Sequence, residues 1–217
     1  MNKNLFFIIL ICLIGLYLRL YQVNFQDYWL DEQASFYVAD PSLLFKETVE
    51  RSYNLDYGTH ILFNLILKFF FDIFYYNSEI GRIVPLIFGF LSIPVISYLT
   101  YYITKNKSYI FVTFLASINF YLISYSQELR EYSLVFLLSS LSILFFYRLI
   151  DSLNYSKNNF FNNVFYTLFT LIGICTHIFF FIIIFSQITY LFLIYYIDRK
   201  KIFLILINIV IIFTTYL

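Results

Sequence analysis

Of 217 residues, 61% are hydrophobic and only 12% are charged, with a mean hydropathy of +0.79. A soluble domain averages about 45–50% apolar and about 25% charged residues, so this composition excludes one and describes an integral membrane protein. The net charge of +1 suggests no nucleic-acid partner and says nothing about topology until it is divided between the two sides of a membrane.

The chain begins with Lys3, an apolar run from Leu5 to Leu18, and then Arg19-Leu20-Tyr21-Gln22. A signal peptide would end in small residues at a cleavage site. None follows here, so the run predicts an uncleaved first transmembrane helix. Directly beyond it stands Tyr28-Trp29-Leu30-Asp31-Glu32. Carboxylates kept at a helix mouth of a membrane protein usually have a function. They also suit the first turn of a helix, where acids complement the dipole.

The segment Ile61–Tyr75 looks apolar, yet His60, Asn64, Lys68 and Asp72 recur every four residues along one side of a helix. That pattern predicts an amphipathic helix lying in the interface with a solvated polar stripe. Crossing the hydrocarbon takes roughly 17–25 apolar residues. Uncharged runs of that order follow at Ile83–Ile103, Ser108–Tyr125, Tyr132–Tyr147 and Val164–Ile197, and a last one starts at Ile202. The run Val164–Ile197 is long enough for two short helices meeting near Thr176-His177. Cys12 and Cys175 lie within apolar runs and suggest neither a disulfide nor a metal site.

The expected fold is therefore an all-α polytopic membrane protein with about seven transmembrane helices. Residues 1–217 form a single domain, and its long first extracytoplasmic loop, about 19–82, contains the interfacial helix. With the N-terminus cytoplasmic, the inner segments carry eight Lys or Arg against two acids, and the outer ones six against eleven. This division obeys the positive-inside rule; a crossing Ile61–Tyr75 would break it. Asp31, Glu32, Asp56 and His60 then share the outer side with the short loop Ser126–Glu131 and with the His177 turn.

In order, the chain has a first helix, Trp29-Leu30-Asp31-Glu32, Ser78-Glu79-Ile80-Gly81-Arg82, the string Tyr125-Ser126-Gln127-Glu128-Leu129-Arg130-Glu131-Tyr132-Ser133, and Thr176-His177. This resembles the bacterial and archaeal relatives of the dolichyl-phosphate-mannose protein mannosyltransferases, in the C-type superfamily of membrane glycosyltransferases. The chain corresponds to their N-terminal half. Where relatives carry a Pro-Pro-Leu-Tyr-like string, it has Asp56-Tyr57-Gly58-Thr59-His60-Ile61-Leu62. The resemblance implies inverting sugar transfer from a polyprenyl-phosphate donor on the extracytoplasmic face of the cell membrane, with a first-loop acid as base. The acceptor would be a lipid, glycan or protein.

The chemistry is coherent on its own terms. Attack by a hydroxyl on an anomeric carbon needs a base, whereas a lipid phosphate leaves readily and needs mainly a cation to hold it. Asp31 is the expected base and Glu32 its support, and a divalent ion, if one is used, would sit on these two acids. Arg130, with Arg51 or Arg82, is the expected phosphate contact. Trp29 would stack on a sugar ring, and Asp56, His60, Glu128 and His177 would complete the substrate-binding wall. Structural roles remain open for several of them: pairing of Glu128 with Arg130 at a helix mouth, capping by His60, an interfacial anchor at Arg82, and a hydrogen-bonded His177. Two other functions stay open: a non-catalytic or split fragment of such an enzyme, and a transport or flippase component. The latter would carry ionisable groups at mid-membrane.

Overall fold

A computed structural model describes residues 3–56, 60–154 and 160–195. Among these the regular structure is helical, with no strand, and the chain forms two compact units, residues 1–137 and 138–217. The expected run from Ile202 onward lies outside the described residues.

In the first unit α1 (Lys3–Leu20) packs against α6 (Ile83–Thr104) and α7 (Ser108–Ile118). The short α5 (Ser78–Gly81) leads into α6, and together they give an apolar span of 27 residues, Ser78–Thr104. A second helix long enough to cross a membrane, Tyr132–Ser152, belongs to α9 (Tyr132–Asn154). α7 and α8 (Phe120–Ser126) make a third span if they count as one, although they meet at an angle of 55°. Two such helices, or three with the bent pair, fit a membrane protein. The other apolar helices, Asn4–Leu20, Phe160–Thr176 and Ile178–Leu193, are each shorter than 18 residues.

The bend corrects the expectation of one continuous run over Ser108–Tyr125. At Asn119 the backbone is extended, and its side-chain oxygen accepts the Leu122 N–H at 3.0 Å, starting α8 afresh. The break leaves carbonyls at the end of α7 without helical partners, which is costly away from water. Arg19 supplies the donors. Its guanidinium is completely buried and reaches Ala116 O at 3.2 Å, Ser117 O at 3.2 Å, Gly15 O at 3.0 Å and Ser126 Oγ at 3.2 Å. Close approach of α6 to this junction requires glycine, since a Cβ at Gly89 would overlap the Ser126 side chain.

Between α1 and α5 lie α2 (Leu30–Val38), α3 (Phe45–Asp56) and α4 (Ile61–Ile73), with α2, α3 and α4 in mutual contact. α4 is a helix where one was expected, but three of the four stripe residues turn inward and only Asp72 stays exposed. His60, Asn64 and Lys68 are buried with Phe63, Leu67 and Phe71. Asn64 donates to Ser52 Oγ at 2.9 Å, and Lys68 Nζ reaches Pro41 O at 3.3 Å and Asp72 Oδ1 at 2.9 Å. Phe69, Ile73 and Phe74 point outward, each more than half exposed. The inward part of the polar stripe takes its hydrogen bonds from α3, Pro41 and Asp72, and the apolar face is left to the surroundings.

In the second unit α10 (Phe160–Thr176) and α11 (Phe181–Tyr195) flank a short 3₁₀ turn, Ile178–Phe180, so the long run does divide at Thr176-His177. Phe146, Leu149, Ile150, Tyr166 and Leu191 form its core. A buried chain of hydrogen bonds links three helices. Tyr166 Oη donates to Gln187 Oε1 at 3.0 Å, Gln187 Nε2 donates to Ser142 Oγ at 3.1 Å, and Ser142 and Thr170 hydroxyls lie 2.9 Å apart. Such bonds hold helices together where lipid gives no hydrophobic drive.

Candidate functional site

The first unit gathers most of the anticipated residues around the start of α2. Trp29 has an extended backbone and precedes the helix, and its N–H reaches Glu32 Oε2 at 3.3 Å. An acid at that position satisfies a helix-start amide, a local reason for Glu32 to turn inward. Glu32 is fully buried, and both of its oxygens are consumed. Oε1 accepts from Arg82 Nε at 2.9 Å and from the Leu129 N–H at 2.6 Å; Oε2 also accepts from Arg82 Nη2 at 2.7 Å. Arg82 spends its other donors on Val23 O at 2.8 Å, Gln26 O at 2.8 Å and Asp27 O at 3.4 Å. This two-pronged pair joins α2, the loop after α1, the start of α6 and the turn at Leu129.

Arg82 is therefore not a phosphate contact or a free interfacial anchor. Arg51 is also engaged, lying 4.3 Å over the Tyr37 ring and donating to Tyr37 O at 3.3 Å. A divalent ion shared by both acids does not fit, because each Glu32 oxygen already accepts two hydrogen bonds. Asp31 differs from its neighbour. It is half-buried, and its carboxylate makes no hydrogen bond or ion pair among the described residues.

The turn between α8 and α9 supplies the remaining groups. Gln127 Nε2 donates to Arg19 O at 3.0 Å and Tyr21 O at 2.8 Å, satisfying carbonyls at the end of α1. Arg130 is buried, with Nη1 3.5 Å from Asp31 O and Nη2 3.1 Å from His60 Nε2. Arginine only donates, so His60 Nε2 accepts, and the other ring nitrogen, Nδ1, lies 3.1 Å from Glu131 Oε1. Glu131 Oε2 is 3.5 Å from Arg130 Nε, closing an Arg–His–Glu cluster.

The turn's two outer acids titrate in opposite directions. Burial alone would raise the Glu131 pKa, but the His60 hydrogen bond and the Arg130 charge carry it below the ordinary value near 4.5. For half-buried Glu128 burial wins over the Ser124 hydroxyl, 3.3 Å from Oε1, and the negative charge of Glu32 adds to the rise. Glu131 thus contributes stability that is present above about 4.5 and is lost as pH falls through its lower folded pKa. Glu128 contributes stability below about 4.5 that is lost as pH rises through its higher folded pKa. In thermal unfolding in micelles, Glu131→Gln should lower the midpoint at neutral pH, by an amount that shrinks in acid, while Glu128→Gln should raise it. Shifts of the same sign from both would contradict this assignment.

Trp29, Asp31, Glu32, His60, Glu128 and Arg130 thus lie in the first unit, on the start of α2, the residue before α4 and the one turn after α8. His177 belongs to the second unit, where its Nδ1 accepts the Phe179 N–H at 3.1 Å and caps the 3₁₀ turn. Asp56 ends α3, and its side chain lies outside the described residues. Glu131, Arg19 and Gln127 were not anticipated as members of the arrangement. Glu131 stood in the quoted string, three residues after Glu128, and was the one legible signal.

Beside this cluster opens a cleft of about 480 Å³, between the segment that follows α1 and the α8 end of the bent pair. Trp29 and Phe120 stand at its rim, 47% and 74% exposed, and Ser124, Gln127 and Glu128 give it a polar wall. Glu32 and Arg82 also border it. No protein-family model matches the chain, and no curated protein or solved structure matches it either.

Proposed function

We propose that the chain is a membrane-embedded glycosyltransferase that moves a sugar from a polyprenyl-phosphate donor to an acceptor hydroxyl with inversion. The contrast within the acid pair carries this reading. Glu32 is saturated by four donors, whereas the Asp31 carboxylate, on the first turn of the helix that Glu32 fixes, makes no hydrogen bond or ion pair among the described residues. A base needs this combination of a rigid mount and a vacant lone pair. In the reaction the acceptor oxygen bonds to the anomeric carbon and gives its proton to Asp31. The bond from that carbon to the phosphate oxygen breaks, and the lipid phosphate departs with the electron pair. Arg130, held by the Asp31 carbonyl, His60 and Glu131, fixes this turn beside the base.

A transport role is less well supported. The ionisable group buried within the apolar helix α1, Arg19, is consumed by three backbone carbonyls and a hydroxyl. The proposal includes the finer topology of about seven crossings, a cytoplasmic N-terminus and an extracytoplasmic site. A cysteine replacing Ser78 should react with an impermeant maleimide from outside intact cells, and one replacing Asn106 should not; the reverse pattern would place the site in the cytoplasm. The enzymatic reading is tested by offering membranes that contain the chain a panel of labelled polyprenyl-phosphate sugars. Transfer from at least one of them is expected. Correct insertion with no transfer from any donor would leave a non-catalytic fragment.

A further inference from the structure

The cleft beside Trp29 lies apart from Asp31, which is not among its lining residues. From its chemistry we infer that it is a subsite for a neutral sugar unit of a glycan acceptor, one residue or more removed from the hydroxyl that reacts. This deepens the proposed function and rests on it for the word acceptor.

Three observations select that ligand. First, the cleft offers no cation to an anion. Arg82 is the only Lys or Arg on its lining, and all five of its N–H groups are spent on Glu32 and three carbonyls. A phosphate entering would meet the Glu128 carboxylate, with Arg82 already neutralised by Glu32. Second, Glu128 is half-buried, and among the described residues its carboxylate accepts only the Ser124 hydroxyl, on Oε1, so Oε2 is open to hydroxyl donors. Burial raises the pKa of this carboxyl, which suits it to neutral hydroxyls. Third, Trp29 presents a half-exposed indole at the rim, an apolar plate for the C–H face of a sugar ring. The volume of about 480 Å³ falls within the roughly 300–1,000 Å³ of small-molecule sites.

Trp29 is the chain's only tryptophan, so tryptophan emission excited selectively over the tyrosines reports from this rim alone. The purified chain in detergent micelles is titrated with mannotriose, maltotriose and chitotriose, and with inorganic phosphate as the anionic probe. A saturable change in emission is expected from at least one trisaccharide and none from phosphate. Glu128→Ala should weaken the response roughly tenfold or more, as loss of hydrogen bonds to a charged group does. Phe120→Ala, which alters an exposed rim residue, should weaken it without touching Glu128. No saturable response to any trisaccharide, an equal response to phosphate, or affinities unchanged in both variants would overturn the subsite. The titration needs no turnover, so the two readings fail separately. A silent cleft in membranes that still transfer sugar removes the subsite alone. Trisaccharide binding by a chain that transfers nothing upholds a carbohydrate site and removes the enzyme.

Discussion

Asp31→Asn is expected to abolish sugar transfer while leaving insertion and thermal stability close to those of the parent chain. The asparagine is nearly isosteric but cannot take the acceptor proton, and loss of a positioned general base costs roughly 10²–10⁴ in rate. Stability should hardly move, because the Asp31 carboxylate has no hydrogen bond or ion pair among the described residues to lose. Substitutions away from such interactions usually fall within about 0.5 kcal/mol. The measurement is transfer of labelled sugar, alongside unfolding of the same preparation in micelles. Undiminished transfer would exclude Asp31 as the base and turn attention to Glu128, the other half-buried acid of this region with an open oxygen.

Glu32→Ala and Arg82→Ala should each do the opposite, destabilising the first unit by about 3–5 kcal/mol, the usual cost of stranding one partner of a buried ion pair. Without Glu32, a guanidinium 5% exposed keeps only carbonyl partners, and the Leu129 and Trp29 amides lose their acceptor. Without Arg82, a fully buried carboxylate remains with two amides, and three carbonyls of the loop after α1 lose their donors. The two residues share one interaction, so the double variant Glu32→Leu with Arg82→Met should cost clearly less than the sum of the single changes. It should not return to the parent value, because the loop carbonyls and amides stay unsatisfied. Unfolding in micelles, followed by Trp29 emission, measures all three. Single variants within about 1 kcal/mol of the parent would remove the pair as the framework that fixes the start of α2. Transfer should fall in both single variants as well, since they loosen the mount of Asp31.

The comparison of sequence with structure follows the same division between local and distant effects. An apolar run announces a helix wherever it occurs, because backbone hydrogen bonds shielded from water must be closed within the segment. So α1, α6 and α9, the pair of helices about His177, and a helix from Ile61 onward were legible from hydropathy and period alone. The acid pair at the start of α2 was legible too, since helix-start chemistry is confined to four residues. What hydropathy misread was direction and partnership. The stripe of His60, Asn64 and Lys68 has the same period whether it faces water or protein, and only the packing of α3 and the loop at Pro41 decided for protein. The bend at Asn119 was hidden because an uncharged residue barely disturbs an apolar average, and it is tolerated because Arg19, about a hundred positions earlier, satisfies the carbonyls it frees. The same distance separates Glu32 from Leu129, and half of it separates Glu32 from Arg82. By itself the sequence determined an all-helical chain with helices apolar enough to fit a membrane protein, the course of most of its apolar helices, and that two carboxylates stand at the mouth of one. Only the tertiary structure decided which of the two is locked into the framework and which stands open, because a carboxylate's role depends on the donors that reach it, and those come from parts of the chain that only folding brings together.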